Sequence, residues 1–244
     1  MEIAYREDDD LKFLQFCDNE DLGILVDILK GKEGEERWTE NLTLDDRFKN
    51  CNGDFASVWD VIAGELQHFG GDSLVNFFRG NGIPYRKVLT EVCDKFKVEY
   101  DKESEVVDIE AALLLKMLDK AVEKMSEEER AEVAEALGVG GVDLAPGAIM
   151  LALQAAIKAG GFKSYQLALI VANAVVKAIL GRGLPFAVNA ALTRAMAVFA
   201  GPIGIAVAAV LTLPMFSGPA FRVTMPACIQ VAYMRQKSMN AESL

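Results

Sequence analysis

The stretch that decides the fold class is VVDIEAALLLKMLDKAVEKM, residues 106–125. Its apolar residues recur every three or four positions, which places them on one face of a helix, and acidic residues and lysines lie between them. The apolar residues are Ile109, Leu113, Leu114, Met117 and Leu118. Because the same spacing runs through most of the chain and period-two alternation is rare, the sequence predicts an all-α protein.

A second helix and a change in composition follow this stretch. Residues 126–129 (SEEE) fit a capping box, and the helix that they open is predicted to end just before Gly138. The glycine-rich run at 138–141 has no preceding strand and lacks the third glycine of a dinucleotide fingerprint, so we interpret it as a linker. We predict a domain boundary here, between an acidic amphipathic helical domain (1–140) and a Gly/Ala-rich apolar helical bundle (141–244).

Shorter apolar patterns upstream predict further helices. Residues 8–30 are predicted to form a small helical hairpin, with Asn19 as the N-cap of its second arm. Two more helices are predicted over residues 55–69 and 84–96, where glycine pairs and Pro84 supply the end and start signals.

The two halves carry opposite charge. The first 143 residues hold 17 Lys and Arg against 35 Asp and Glu, a net charge of −18, while residues 144–244 hold 8 against 1, a net charge of +7. The acidic half repels phosphates and the basic half is sparsely charged, so we expect no nucleic-acid partner. The acidic N-terminus does not have the pattern of a secretory signal, which leads us to expect a cytoplasmic protein whose four cysteines are reduced.

The C-terminal half consists of apolar segments separated by glycine and proline. We predict helices at about 147–159, 164–181, 185–200, 203–213 and 219–236. Residues 195–221 contain 27 positions without a charge, more than the ~20 apolar residues that a spanning helix needs. Three prolines interrupt this window at 202, 214 and 219, and the longest uninterrupted piece, 203–213, is too short to cross a bilayer. We therefore do not expect a simple straight span.

Two interpretations of the basic, apolar half stay open. Its small residues, in pairs such as Ala197 with Gly201 and Gly204 with Ala208, allow close helix packing in lipid or in a bundle. Its cations would be attracted to anionic lipid, or would dock on the acidic N-terminal half of the same chain. These cations are Lys158, Lys163, Lys177, Arg182, Arg194, Arg222, Arg235 and Lys237.

Three sequence stretches resemble a known family. They are YREDDDL at 5–11 with NEDL at 19–22, GELQHFGGDS at 64–73, and GPAFRVTMPA at 218–227. The chain is similar over most of its length to the bacterial YaaW-like family, whose members are also described as similar to ubiquinol-cytochrome c chaperones over a central region. The resemblance supplies no catalytic residues to place on these positions.

Four residues are candidates for a functional site. Glu65 and His68 form the Glu-x-x-His pair that supplies two ligands in helical di-iron sites, but His68 is the single histidine of the chain, so one subunit lacks the second copy. A polar pair at a Gly-Gly turn more often binds the backbone, and Asp72 beside Ser73 fits an N-cap. Arg222 lies between two prolines in an apolar region, where it would need an anionic partner, a route to water or the carbonyls that proline frees.

We therefore expect a non-enzymatic protein whose C-terminal half contacts or inserts into anionic membrane lipid, at the inner face of the cytoplasmic membrane. The inserted form would be a stored hydrophobic hairpin, by analogy with pore-forming colicin-like domains. The first alternative is a soluble, chaperone-like adaptor with a protein partner, and a homo-oligomer is left open. The second is a metal enzyme that uses Glu65 and His68. No cofactor is expected.

Overall fold

The computed structural model describes residues 2–31, 41–70, 82–138, 141, 143–185, 190–211 and 220–241. These ranges contain helices and no β-strand, which confirms the all-α prediction. The α-helices are α1 (Asn19–Lys30), α2 (Asp46–Asn50), α3 (Trp59–Phe69), α4 (Tyr85–Phe96), α5 (Val106–Val122), α6 (Glu127–Ala136), α7 (Pro146–Ala159), α8 (Gly161–Leu180), α9 (Ala190–Leu211) and α10 (Phe221–Ala241). In the same ranges, 3₁₀ helices at Lys12–Phe16, Leu42–Leu44 and Phe55–Val58 precede α1, α2 and α3.

The predicted N-terminal hairpin consists of the first 3₁₀ helix and α1. The N-cap of α1 is Asp18, whose carboxylate accepts a hydrogen bond from the backbone N–H of Asp21 at 2.8 Å, and not Asn19 as predicted. The Asn19 side chain instead donates to the carbonyl of Gly53 and accepts from the N–H of Ala56. Asn19 therefore ties α1 to the turn that precedes α3.

The capping box predicted before α6 is present. The Ser126 hydroxyl accepts from the N–H of Glu129, and the Glu129 carboxylate accepts from the N–H of Ser126. Gly138 follows this helix with a φ of +65°, a conformation that favours glycine. Residues 139 and 140 of the predicted linker lie outside the described residues, and the domain boundary stays a prediction.

One proline prediction is wrong. The sequence places a break at Pro202, between helices 185–200 and 203–213, whereas α9 is continuous through this proline. Proline removes one backbone hydrogen bond, but α9 packs along α8, and the fully buried Phe199 and Ile203 hold it on both sides of Pro202. The uninterrupted length is 22 residues and not the 11 that the prolines imply. Pro214 and Pro219 lie outside the described residues.

The long apolar helix α8 is part of the core. By length and composition alone, α8 is long and apolar enough to cross a membrane, and 72% of its most hydrophobic window is buried inside the fold. It packs against α7, α9 and α10, so its apolar residues already have protein neighbours. Its hydrophobicity on every face is typical of the central helix of a bundle.

The last helix, α10, joins the two halves of the chain. It packs on α8 and α9 from the C-terminal half and on α1, α3, α4 and α5 from the N-terminal half. All twelve residues from Val223 to Met234 are buried. Since one helix fills the space between both halves, their apolar residues form one continuous core.

Candidate functional site

Glu65 and His68, the proposed metal pair, lie on α3 and bind backbone groups. Glu65 is fully buried, and its Oε1 accepts a hydrogen bond from the N–H of Asn41 at 2.9 Å. His68 is half-buried, and its Nδ1 donates to the carbonyl of Gly64 at 2.6 Å. Among the described residues there is no group of three histidine, cysteine, aspartate or glutamate side chains that could hold a metal ion. A role for this pair in metal binding stays a prediction.

The other two candidate residues are Asp72 and Arg222. Asp72 and Ser73 lie outside the described residues. Arg222 is the second residue of α10 and is partly exposed, so it reaches water at the surface of the fold. The start of α10 meets the end of α3, where the N–H of Ala220 donates to the carbonyl of Phe69 at 3.4 Å.

The N-terminal segment is held against α3 by the side chain of Gln67. Its Oε1 accepts from the N–H of Arg6 and its Nε2 donates to the carbonyl of Arg6, both at 2.9 Å. The segment approaches α3 at Gly64, where a Cβ would lie 2.9 Å from the Ile3 side chain. The buried carboxylate of Asp8 then accepts from the N–H of Tyr85 at 2.6 Å, which connects the segment to α4.

A buried ion pair connects α5 to α10. The Glu110 carboxylate accepts from Arg235 Nε at 2.7 Å and from the Tyr85 hydroxyl at 2.8 Å. The Arg235 guanidinium also donates to the carbonyl of Asp10 at 2.6 Å and lies 4.3 Å from the centre of the Phe13 ring. This cluster therefore joins the N-terminal segment, α4, α5 and α10.

Burial sets the protonation behaviour of this cluster. Loss of water raises the pKa of Glu110, although the charge and hydrogen bonds of Arg235 and the Tyr85 hydroxyl act in the opposite direction. Burial also raises the pKa of Tyr85 well above its usual value, and the adjacent Glu110 charge adds to that rise. Tyr85 therefore stays protonated and serves as a donor to Glu110.

Two further ion pairs connect the basic half to α1. Lys237 Nζ lies 2.8 Å from an oxygen of Asp18 and 2.6 Å from an oxygen of Asp21, and Arg182 binds Asp27. Partial burial alone would lower the pKa of Lys237, but the hydrogen bonds to the two aspartates outweigh it and raise that pKa. Within the described residues, Arg235, Lys237 and Arg182 of the C-terminal half thus pair with acidic residues of the N-terminal half.

Large exposed hydrophobic side chains are concentrated in the C-terminal half. Of the six in the described residues, two precede residue 140, Phe16 and Leu44. The other four are Leu151, Phe162, Ile205 and Met239. Two exposed lysines lie on the same helices: Lys158 follows Leu151 by two turns on α7, and Lys163 is next to Phe162 on α8. The apolar and basic surface formed by Leu151, Phe162 and these two lysines is the candidate functional site.

A groove adjoins this surface. It has a volume of about 530 Å³ and lies between α5, the junction of α7 and α8, and the end of α10. Its walls include Ala112 and Leu115 of α5, Ile157 of α7 and Met239 of α10. Small and apolar side chains therefore line most of a surface groove next to the exposed hydrophobic residues.

Sequence reasoning missed the Tyr85–Glu110–Arg235 cluster, although one signal was present. Glu110 lies four residues after Val106 and four before Leu114, so it shares the apolar face of α5. An acidic residue on an apolar face requires a buried partner. The partner itself was not readable, because Arg235 lies 125 residues away in the chain.

Comparison with known proteins identifies close relatives. The chain is similar to a UPF0174 protein of Helicobacter pylori strain J99, with 44% identity over 241 residues that cover 98% of this chain and 95% of the relative. It is also similar to the UPF0174 protein YaaW of Escherichia coli strain K12, with 35% identity over 97% of each chain. A family model described as ubiquinol-cytochrome C chaperone matches residues 55–229, and one described as a domain of unknown function (DUF3944) matches residues 5–38. No solved structure matches the chain significantly.

Proposed function

We propose that the C-terminal half of this chain, which belongs to the UPF0174 family that includes YaaW, contacts a membrane surface. Over residues 55–229 the chain also belongs to the family described as ubiquinol-cytochrome C chaperone. The proposed role is non-enzymatic. The proposed location is the inner face of the cytoplasmic membrane, with anionic lipid as the partner.

One observation carries the proposal. Four of the six large exposed hydrophobic residues in the described ranges lie within residues 144–244, which hold one acidic residue against eight basic ones. Exposed apolar side chains favour transfer into the lipid interface, and nearby lysines favour an anionic surface. The combination of both features on one half supports contact with anionic lipid more directly than either feature alone.

The insertion form of the proposal makes a stronger demand on the fold. A stored hairpin would have to remove α9 from α8, although Phe199, Ile203 and Val207 are fully buried in that contact. Each such side chain contributes ~1.5–3 kcal/mol through burial. Surface contact requires no such opening, so it is the form that we favour.

Vesicle flotation tests the proposal. The experiment uses the full chain, because α10 packs on both halves and a protein truncated near residue 141 would lose that core. We expect the protein to float with phosphatidylglycerol-containing vesicles at low salt and to remain at the bottom of the gradient with pure phosphatidylcholine. Absence of flotation with the anionic vesicles at low salt would refute membrane contact.

A chaperone-like adaptor is the second candidate. The family model described as ubiquinol-cytochrome C chaperone and the groove beside Met239 favour it. An adaptor of this kind would bind an apolar helix of a client protein in the groove. Fluorescence anisotropy with a labelled amphipathic helical peptide tests it, with Leu115→Asp as the variant that should weaken binding and Leu44→Asp, which changes an exposed residue outside the groove, as the control.

A further inference from the structure

The C-terminal half carries two separate exposed apolar regions. One is the outward face of α9, where Ile205 is 59% exposed between small neighbours. The other surrounds the turn from α7 to α8, and we name it the corner patch: Leu151, Ala155, Lys158, Phe162 and Lys163. We propose that the corner patch binds an anionic lipid bilayer while the fold stays closed. This inference rests on the proposed function and assigns its surface and mode of contact.

The corner patch is assembled by the local geometry of the chain. Leu151, Ala155 and Lys158 are spaced by four and three residues, which places them on one face of α7, and all three are exposed. Gly160 and Gly161 then adopt φ values of +68° and +62°, which turn the chain directly into α8. Because Gly160 alone separates the two helices, the first turn of α8 lies close to the last turn of α7.

The aromatic residue at the corner is supported from the core. The Phe162 ring, 58% exposed, lies 6.1 Å from the Tyr165 ring, which in turn lies 6.1 Å from the ring of the buried Tyr233. This row of rings fixes the direction in which Phe162 faces. An aromatic side chain that is already ordered loses little conformational entropy when it enters a lipid interface.

The charges around the corner patch complement an anionic surface. Neither Lys158 nor Lys163 has an acidic partner within ion-pair distance among the described residues. From residue 145 to residue 185 the sequence contains no aspartate or glutamate. Asp108, on the opposite wall of the groove from Lys158, marks the acidic edge of this surface.

The face of α9 has a different electrostatic setting. The one charged residue of α9, Arg194, lies three turns before Ile205 and shares a small pocket with Glu132 and Glu135 of α6. An anionic lipid headgroup would meet carboxylates there. Charge complementarity therefore distinguishes the corner patch from the α9 face, although both expose apolar atoms.

Matched substitutions test this assignment in the flotation assay with phosphatidylglycerol–phosphatidylcholine vesicles. We expect Leu151→Asp and Phe162→Asp each to lower the partition coefficient by about tenfold. Reversal of charge in Lys158→Glu or Lys163→Glu should lower it by about fivefold or more. The measurement is made on full-length variants whose far-UV circular dichroism matches that of the wild type. If Phe162→Asp disturbs the packing of Tyr165, Leu151→Asp alone tests the apolar part of the contact.

Three control variants carry the same chemical changes elsewhere. Ile205→Asp alters the α9 face, Phe16→Asp alters the acidic half, and Lys177→Glu alters the far end of α8. Each should change the partition coefficient by less than about twofold, because the altered residue lies outside the contact. If the wild type floats and Ile205→Asp lowers binding as much as Leu151→Asp, the corner assignment is wrong and the proposed function stands. If the wild type does not float, both fail.

Thiol labelling tests whether the fold stays closed. Cys228 of α10 is fully buried between both halves of the chain, so it reacts with a maleimide only when α10 leaves the core. We expect its labelling rate, read by peptide mass spectrometry, to change by less than about twofold when vesicles are added. A large increase on anionic vesicles would show that contact requires opening, and would overturn the closed mode.

Discussion

The ion pair between Arg235 and Glu110 gives the sharpest prediction about stability. Arg235→Met keeps much of the side-chain volume over Phe13 but removes the guanidinium. The Glu110 side chain is 2% exposed, so the substitution leaves a carboxylate without water or a cation and with the Tyr85 hydroxyl as its remaining donor in the cluster. Removal of one partner of a buried pair costs ~3–5 kcal/mol in the free energy of unfolding.

The assay is urea unfolding followed by far-UV circular dichroism. A loss of that size lowers the midpoint by about 1–2 M urea. Arg47→Met is the matched control, because Arg47 makes a similar two-bond pair with Asp60 at 2.6 and 2.9 Å, but its side chain is 49% exposed. Exposed pairs contribute ~0.2–1 kcal/mol, so the control should shift the midpoint little.

The loss of stability in Arg235→Met should depend on pH in a defined direction. Burial raises the pKa of Glu110 in the folded state above its unfolded value, so its contribution to stability is present at low pH and is lost as pH rises through the folded pKa. Without Arg235 that pKa rises further. The defect of Arg235→Met should therefore be largest at neutral pH and smaller under acid conditions.

A compensating substitution separates the buried charge from lost packing. Arg235→Met with Glu110→Gln removes the charge and retains an acceptor for the Tyr85 hydroxyl. We expect this double variant to recover about 1–2 kcal/mol relative to Arg235→Met. The reasoning is refuted if Arg235→Met loses no more stability than Arg47→Met, or if the double variant is less stable than the single one.

Three further predictions concern the supports of the fold. Asp45 accepts a hydrogen bond from the N–H of Ile3 at 2.9 Å. Burial acts to raise the pKa of Asp45, but its backbone hydrogen bonds outweigh burial and lower that pKa. Asp45→Ala should therefore lower the free energy of unfolding by ~1–2 kcal/mol at neutral pH and by less as pH falls below ~4, as measured by urea titration at several pH values. Gly82→Ala would place a Cβ 2.6 Å from that of Gln67, so we expect a fall in the melting temperature of several degrees, and an unchanged melting temperature would contradict this close approach. Ser126→Ala should cost ~1 kcal/mol through loss of the capping box, with Ser126→Thr as the control that keeps the hydroxyl.

The cluster of Tyr85, Glu110 and Arg235 shows why the docking of the two halves was predictable only in part. The opposite charges of the halves indicated that they attract, and Arg235, Lys237 and Arg182 do bind acidic residues of the N-terminal half. Which cations would dock was not readable from composition. Lys158 and Lys163 have the same charge as Lys237 but lie on a different surface, because the direction of a side chain depends on how its helix packs.

The candidate site was predictable in chemistry and not in position. The apolar, basic character of the C-terminal half was evident in the sequence, but the predicted residues Glu65 and His68 bind backbone groups within α3 and its neighbouring loop. The exposed residues Leu151 and Phe162 have the same side-chain types as many core residues. Exposure depends on the neighbouring helices, and hydropathy along the chain does not contain that information.

The sequence by itself determined the helical class, the capping box at Ser126, the glycine ends of the helices and the contrast in charge. These features depend on residues within a few positions of one another, where backbone hydrogen bonds and side-chain spacing decide the outcome. Only the tertiary structure decided that α9 continues through Pro202, that α8 is a core helix, and that Arg235 meets Glu110. Each of these depends on packing between segments far apart in the chain, and that packing outweighs local preference.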